Sequence, residues 1–467
     1  MPADLWHTHS VWGRRGLGFN AGLDEADTPD LNWRFKRPPR TRHDRPTTGV
    51  CGPLRVPLDP ATECGRNSIV ARLGIALRVG LAVTVLLAGG CAPAHGGMGA
   101  KAASGKDGPP VVIRFPAPST SQFPAPTAQG LQAVLTAVVA NYATSPSVGA
   151  PGITAAVLSD HGSWSGAAGV GGDGTKLTPN AMMALDSITK TFIAAEVMHL
   201  AATGKVNLKA KLSTYVTNSL TANGTTVAQT LSMRSGLTDP PGAVFQALAS
   251  AQAAAPAKQW TAVQTLAYLK SPSSSPGGIP VYANTNYLLL GLLIEKVTGS
   301  TVAQVERADL FTPAGLSRVA AQDAERPTPP LAAPPGSLKL APDGYLPSQT
   351  MAASGEDSYA GIAADAQTVA LWGYQLYGAR LLPLESVRAM MTQPSKGTIA
   401  TGIGYGLGTM VFTKLSTEPT YGHGGLDPGY TTLLAVVPER HLAAAVLIPE
   451  NGRDTNSIMR DLLSVMG

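Results

Sequence analysis

Cysteine is almost missing from this chain. Cys51, Cys64 and Cys91 are all it has, and none lies in the 376 residues after Cys91. That absence removes a disulfide framework, a zinc cluster and a thiol nucleophile from the main body. Charge is scarce too: 14% of residues are charged against 44% hydrophobic, enough apolar material for a sizeable core and too much for a disordered chain. The formal net charge of +5 comes from the start of the chain, because 23 basic residues face 22 acidic ones beyond Cys91. A near-neutral body offers no basic face for nucleic acid, and no nucleic-acid partner is expected. No repeat period is visible. The uncharged apolar run from Val79 to Ala88 is too short for a stable bilayer span.

That run has a context. "VARLGIALRVGLAVTVLLAGGCAP", from Val70 to Pro93, holds two arginines, the apolar run, small residues and Cys91. Charge, apolar stretch and small residues in this order are the layout of a secretory signal. "LLAGGC" resembles the lipobox of bacterial lipoproteins, which implies a lipidated Cys91 and anchorage at the extracytoplasmic face of the cell membrane. Residues 1–69 have no helical or alternating period and read as a disordered or non-native extension, with translation expected to start near Val70. The expected division is an extension over 1–69, a lipoprotein signal over 70–91, a Gly/Ala/Pro-rich flexible linker over 92–126, and one folded domain over 127–467.

Regular patterning begins near Thr127. "AQGLQAVLTAVVANYA" places Leu131, Val134, Leu135, Val138 and Val139 on one helical face. "GITAAVLSDHGSWSGAAGV" reads as two short strands about a turn at Asp160-His161-Gly162. The apolar run after Ser187 reads as a helix closed by Gly204. Residues 205–350 carry helical patches broken by Pro-rich loops such as "RPTPPLAAPPG". Near the end, "GTMVFTKL", "TYGHGG", "YTTLLAVVP" and "LAAAVLIPE" are closely spaced strand candidates, followed by a helix from Thr455. Strands at both ends around a helical middle imply an α/β fold: one sheet assembled from distant segments, with a mostly helical insertion.

Three segments carry chemistry. In "ALDSITKTFIAAEVMHL", Ser187 and Lys190 are one helical turn apart and share a face. A serine hydroxyl needs a base within hydrogen-bond reach to act as a nucleophile, and a buried lysine that loses its charge can accept the proton. The free N–H groups at a helix start, Ser187's own included, can stabilise an oxyanion. The competing reading is a serine near a helix start with a solvated lysine. Ser187 begins the single S-x-x-K match among 14 lysines, about the number chance would give. In "VYANTNYLLLGLLIEKVTGS", Tyr282 can shuttle a proton and Asn284 can orient lysine and substrate; equally, Tyr282 can pack and Asn284 can cap the helix. In "YGHGGLDPGY", the glycines after His423 let a substrate backbone approach, with the Leu426 N–H directed at the site; His423 can also be a structural residue of a Gly-rich turn.

Order and spacing together resemble the penicillin-recognising serine hydrolases: S-x-x-K, then Y-x-N, then H-x-G in place of K-T-G. Tyr and His in these places resemble the branch of class C β-lactamases, D-Ala-D-Ala carboxypeptidases and esterases. "LSMRSGL" at 231–237 is similar to that group's H-x-S-G-L segment, with Met233 where His is frequent. "YAGIAADAQTVALWGYQLYG" is similar to its Gly-rich turn and helix, and "GYGLG" at 404–408 precedes the last motif as in carboxypeptidase-like members. The resemblance covers about 127–465. It implies a β-lactamase-like fold, an antiparallel sheet flanked by helices from both chain ends with an inserted helical subdomain. It also implies a site needing neither cofactor nor metal.

In that site Ser187 would form the acyl-enzyme, and Lys190 and Tyr282 would share the proton work. Asn284 would orient, His423 would support the Tyr282 side electrostatically, and Gly425 would line the substrate strand. The N–H groups of Ser187 and Leu426 would form the oxyanion hole. Which of Lys190 and Tyr282 is the base stays open. Thr409 and Met410 follow "YGLG" where carboxypeptidase-like relatives often carry a cation for the substrate carboxylate. The expected activity is therefore hydrolysis of an ester or amide carbonyl in a small-molecule or peptide substrate, possible examples being a peptidoglycan peptide or a β-lactam. β-Lactamase action ranks second, and a retired cell-envelope binding lipoprotein is the alternative from another class.

Overall fold

The computed structural model describes residue 110 and residues 113–467 apart from 144–151, 240–246, 248–249, 252–253, 255–259, 269–273, 323, 336–357, 395–396 and 428. The expected extension, signal and Cys91 lie outside the described residues.

A seven-stranded antiparallel sheet forms the centre. Strands β1 (Ile153–Leu158) and β2 (Ser163–Ala168) come from the front of the domain. Strands β6 (Ile403–Tyr405), β7 (Met410–Phe412), β8 (Thr420–Asp427), β9 (Tyr430–Val437) and β10 (Leu442–Ile448) come from its end. Their order is β2-β1-β10-β9-β8-β7-β6, so the two chain ends meet where β1 pairs β10, with Thr154 opposite Leu447. The four C-terminal strand candidates and the hairpin about Asp160-His161-Gly162 are all present. Every residue of β9 and β10 is buried, which requires cover on both faces.

Helices supply that cover. Helix α1 (Ala125–Ala143) packs on β2 and on α9 (Thr455–Val465), the C-terminal helix. In α1, Leu131 and Leu135 are fully buried, the face its spacing predicts. In α9, Ile458, Met459, Leu462 and Leu463 form the buried stripe, and the Asp454 carboxylate caps its start by accepting from the Ser457 N–H. Helix α7 (Ala366–Tyr377) lies along β1, β9 and β10, and α8 (Leu384–Met391) follows it in the chain. Gly373 permits that approach, since a Cβ there would stand 2.6 Å from Leu434.

The middle of the chain is largely helical among the described residues: α2 (Thr189–Ala202), α3 (Val227–Leu231), α4 (Ala262–Tyr268), α5 (Thr285–Thr298) and α6 (Val302–Val305), with a wider turn over Glu306–Phe311. Helix α2 ends as its sequence suggests, with Gly204 in the left-handed conformation just past its last turn. It is buried almost all round, from Thr189 through Met198. The Trp372 indole donates to the Thr191 hydroxyl at 2.9 Å and stacks on Phe192 at 3.8 Å, which locks α2 to α7.

Two features differ from the sequence expectation. A second small sheet, β3 (Met183–Ala184), β5 (Ile362–Ala364) and β4 (Val319–Ala321), joins the run before Ser187 to the segment before α7. Its strands are two or three residues long, too short to show a period. Residues 113–126 are also not a free tether. Phe115 and Phe123 are buried, the Phe115 N–H donates to the Gly378 carbonyl, the Ser163 N–H and hydroxyl donate to the Ser121 carbonyl, and the Phe123 N–H donates to the Ser163 carbonyl. Two aromatic anchors in a Pro-rich stretch hold it against the body, so the ordered domain reaches back beyond residue 127.

Candidate active site

Ser187 sits in a single tight turn, Asp186–Ile188, between β3 and α2. Both sheets pin that turn. The Leu185 N–H donates to the Ile362 carbonyl in the small sheet, and the Thr432 hydroxyl of β9 donates to the Leu185 carbonyl. The Ile362 N–H returns to the Thr189 hydroxyl. One turn on, Lys190 is fully buried, and its Nζ donates to Ser187 Oγ at 2.9 Å and to the Tyr359 carbonyl at 3.1 Å. Three ring faces surround the amine: Tyr282 and Tyr359 at 5.1 Å and Tyr287 at 5.7 Å. Lys190 is not the solvated lysine of the competing reading.

Tyr282 reaches the same hydroxyl. Burial raises its phenol pKa well above the ordinary value and the nearby Asp186 charge adds to that, while a hydrogen bond with the Ser187 side chain opposes both. The segment carrying it is held by Met233, whose carbonyl accepts from the Val281 N–H and whose sulfur faces the Ala283 N–H and the Asn286 amide. Asp239 fixes the helix start behind it, accepting from the Asn284 and Thr285 N–H groups and the Thr285 hydroxyl. Asn284 therefore heads α5 without capping it by its own side chain. Its amide oxygen is buried with no hydrogen-bond partner among the described residues, and the Tyr359 carbonyl, not Asn284, is the main-chain acceptor at Lys190.

Strand β8 closes the other side. Gly425 has no room for a side chain: a Cβ would lie 2.2 Å from the Leu185 carbonyl and 2.3 Å from the Thr432 hydroxyl. The glycine is thus needed for β8 to approach the serine turn, a different reason from substrate access. His423 is fully buried. Its Nδ1 lies 2.7 Å from the Gly424 carbonyl, which can only accept, so Nδ1 carries the proton and Nε2 accepts from Tyr405 at 3.1 Å. Burial, with Lys190 nearby, lowers its pKa to about 3. A neutral ring cannot supply a positive charge to Tyr282; its part is to set the Tyr405 and Tyr282 rings, whose centroids stand 5.7 and 6.1 Å away. The Leu426 N–H is adjacent to the serine turn, where it donates to Asp186 Oδ2 at 2.5 Å.

The structure therefore brings Lys190 and Tyr282 to the Ser187 hydroxyl, with Leu426 on the adjoining Asp186, Gly425 against Leu185, His423 beside the Tyr282 ring and Asn284 at the start of α5. The model of the Beta-lactamase family matches residues 131–463, most of the chain. This chain belongs to the beta-lactamase family. It thereby joins the penicillin-recognising serine hydrolase superfamily, and its antiparallel sheet with flanking helices is that superfamily's α/β fold.

Solved structures with the same fold include a D-stereospecific amidohydrolase from a Streptomyces species. It is 24% identical with a TM-score of 0.59, over 72% of this chain and 98% of that one. The D-amino acid amidase of Ochrobactrum anthropi SV3, in complex with D-phenylalanine, is 19% identical with a TM-score of 0.62, over 73% and 99%. An octameric penicillin-binding protein homologue from Pyrococcus abyssi is 22% identical with a TM-score of 0.58, over 72% and 77%.

Within this beta-lactamase-family site, sequence reasoning passed over five residues. Tyr359, Tyr287 and Tyr405 build the walls, Asp239 holds the α5 start, and Asp186 hydrogen-bonds Ser187. Asp186 had the plainest signal, since it directly precedes Ser187 at a strained φ of 48°. Thr409 and Met410 point inward. Thr409 is buried against the Tyr377 hydroxyl at 3.2 Å, and the Met410 sulfur faces the Gly424 N–H at 3.4 Å.

Proposed function

We propose that this protein is a serine hydrolase in which Ser187 forms an acyl-enzyme with an amide or ester carbonyl. The observation that carries this reading is the 2.9 Å contact from the buried Lys190 amine to Ser187 Oγ. Tyr282 keeps its proton in the resting site because burial and Asp186 raise its pKa, which leaves Lys190, in its neutral amine form, as the first acceptor of the serine proton. As Oγ bonds to the carbonyl carbon, the carbonyl electrons move to oxygen beside the Ser187 and Leu426 N–H groups. Collapse expels the leaving group with a proton delivered through Tyr282. Water then attacks the ester carbon and returns Ser187 to its hydroxyl form.

For substrate, the amidase names of the solved relatives support amides of D-amino acids as the first class to assay. The inward packing of Thr409 and Met410 leaves no cation at those two positions for a terminal carboxylate, which favours amides and esters over carboxypeptidase substrates. Family membership keeps β-lactams as the second reading. We also place the protein at the extracytoplasmic face of a bacterial membrane through a lipid on Cys91, on the strength of "LLAGGC". Detergent phase partitioning of wild type and Cys91→Ala checks this, with only the wild type expected in the detergent phase.

The activity test compares release of p-nitroaniline from D- and L-amino acid anilides, p-nitrophenyl ester cleavage, and opening of a chromogenic cephalosporin. Wild type is expected to turn over at least one of these and Ser187→Ala none. Equal turnover by both proteins contradicts the reading. A wild type that binds these compounds without turnover supports a retired binding protein.

A further inference from the structure

Asp186 enters the chemistry above only through its effect on the Tyr282 phenol, yet it holds both groups on which that chemistry relies. Its Oδ2 accepts the Leu426 N–H at 2.5 Å, and the backbone N–H and hydroxyl of Ser187 also hydrogen-bond the carboxylate. The side chain is buried and comes from a residue at φ 48°, a left-handed backbone conformation that glycine adopts freely and aspartate tolerates better than most residues. Burial pushes the Asp186 pKa up, while Lys190 and the Leu426 and Ser187 hydrogen bonds pull it down. As a carboxylate on the Leu426 N–H beside Ser187, it holds a donor that the oxyanion formed by attack of that serine on a carbonyl would need. The two cannot share that donor.

We propose that Asp186 is an internal occupant of the oxyanion hole, whose carboxylate must leave the Ser187 and Leu426 N–H groups before a substrate carbonyl can react. This rests on Ser187 being the nucleophile. Asp186 thereby gates acylation: a substrate must displace a bound anion as well as find the serine. The opposing account makes Asp186 a structural tie between the serine turn and β8. The two accounts differ in sign. Removing a tie loosens the site and slows acylation, whereas removing an occupant frees the hole and speeds it.

The test uses Asp186→Gly, which suits the left-handed backbone, and Asp186→Asn, which keeps the shape without the charge. The first readout is the rate of labelling by a fluorophosphonate. In that reaction Oγ bonds to phosphorus, fluoride leaves, the serine proton passes to the site base, and the phosphoryl oxygen needs the hole. The second is the affinity of an arylboronic acid, which accepts the Oγ electron pair and places a boron-bound oxygen in the same position. Asp186→Gly is expected to label about tenfold faster or more and to bind the boronate more tightly by a similar factor, with Asp186→Asn between it and wild type.

Thermal unfolding followed by circular dichroism shows whether each variant is folded. A folded Asp186→Gly that labels no faster and binds boronate no more tightly overturns the gate, and if that variant does not fold, Asp186→Asn decides by the same criterion. Ser187→Ala separates the two claims. Labelling that survives in Ser187→Ala removes the nucleophile assignment, whereas Ser187-dependent labelling unchanged by Asp186→Gly removes the gate alone.

Discussion

Lys190 and Glu196 share α2 and show two ways of burying an ionisable group. Lys190 has an acceptor in Ser187 Oγ, another in the Tyr359 carbonyl, and three ring faces around its amine. Replacing it with Ala removes both the proposed base and a packed side chain, and Lys190→Ala is expected to slow fluorophosphonate labelling by about 10²-fold or more. Glu196 is fully buried with neither carboxyl oxygen hydrogen-bonded among the described residues. Desolvation, with Asp309 adding and Lys205 opposing, pushes its pKa up to about 8 from 4.5. The folded protein therefore holds a proton that the unfolded chain has already lost, so this contribution to stability is full below the unfolded value and declines as pH rises through the folded one. Glu196→Gln is expected to match wild type in thermal midpoint near pH 4 and to exceed it near pH 9. A constant difference between the two proteins across that range contradicts the assignment.

Strand β8 and helix α5 show how whole elements aim these side chains. Gly425 lets β8 touch the serine turn, and a methyl at that position meets two oxygens at 2.2 and 2.3 Å. Gly425→Ala should move the Leu426 N–H off the site, lowering the labelling rate by about 10²-fold, the usual effect of losing one oxyanion donor. Helix α5 starts on Asp239, which receives three hydrogen bonds from Asn284 and Thr285. Asp239→Ala is expected to cost about 1–2 kcal/mol in urea unfolding, the range for losing such a cap. Much at this scale was legible beforehand. The α1 face, the β1–β2 hairpin and the four terminal strands follow from period and turn chemistry alone. The small sheet was not, because two- and three-residue strands carry no period. Nor was Asp239, whose partners lie 45 and 46 residues away.

At the scale of the molecule, the two ends of the domain build one sheet, and the site forms where the helical middle meets it. Ser187 belongs to the turn between the small sheet and α2, Tyr282 to the approach to α5, and His423 and Leu426 to β8. Sequence order shows that these motifs are present; only the fold shows what each touches. That is why Ser187, Lys190 and Tyr282 were readable from spacing, whereas the neutral state of His423 was not: it depends on complete burial and on Tyr405, 18 residues away. The inward Phe115 and Phe123 extend the body into a stretch whose composition reads as linker.

The central claim is that Ser187 is the reacting nucleophile. Peptide mapping by mass spectrometry after fluorophosphonate treatment tests it most directly. The account predicts one adduct, on Ser187 in the peptide that spans "ALDSITK", absent from Ser187→Ala and strongly reduced in Lys190→Ala. An adduct on another residue, or a wild-type Ser187 that stays unmodified while the Asp186→Gly variant is equally inert, would contradict it.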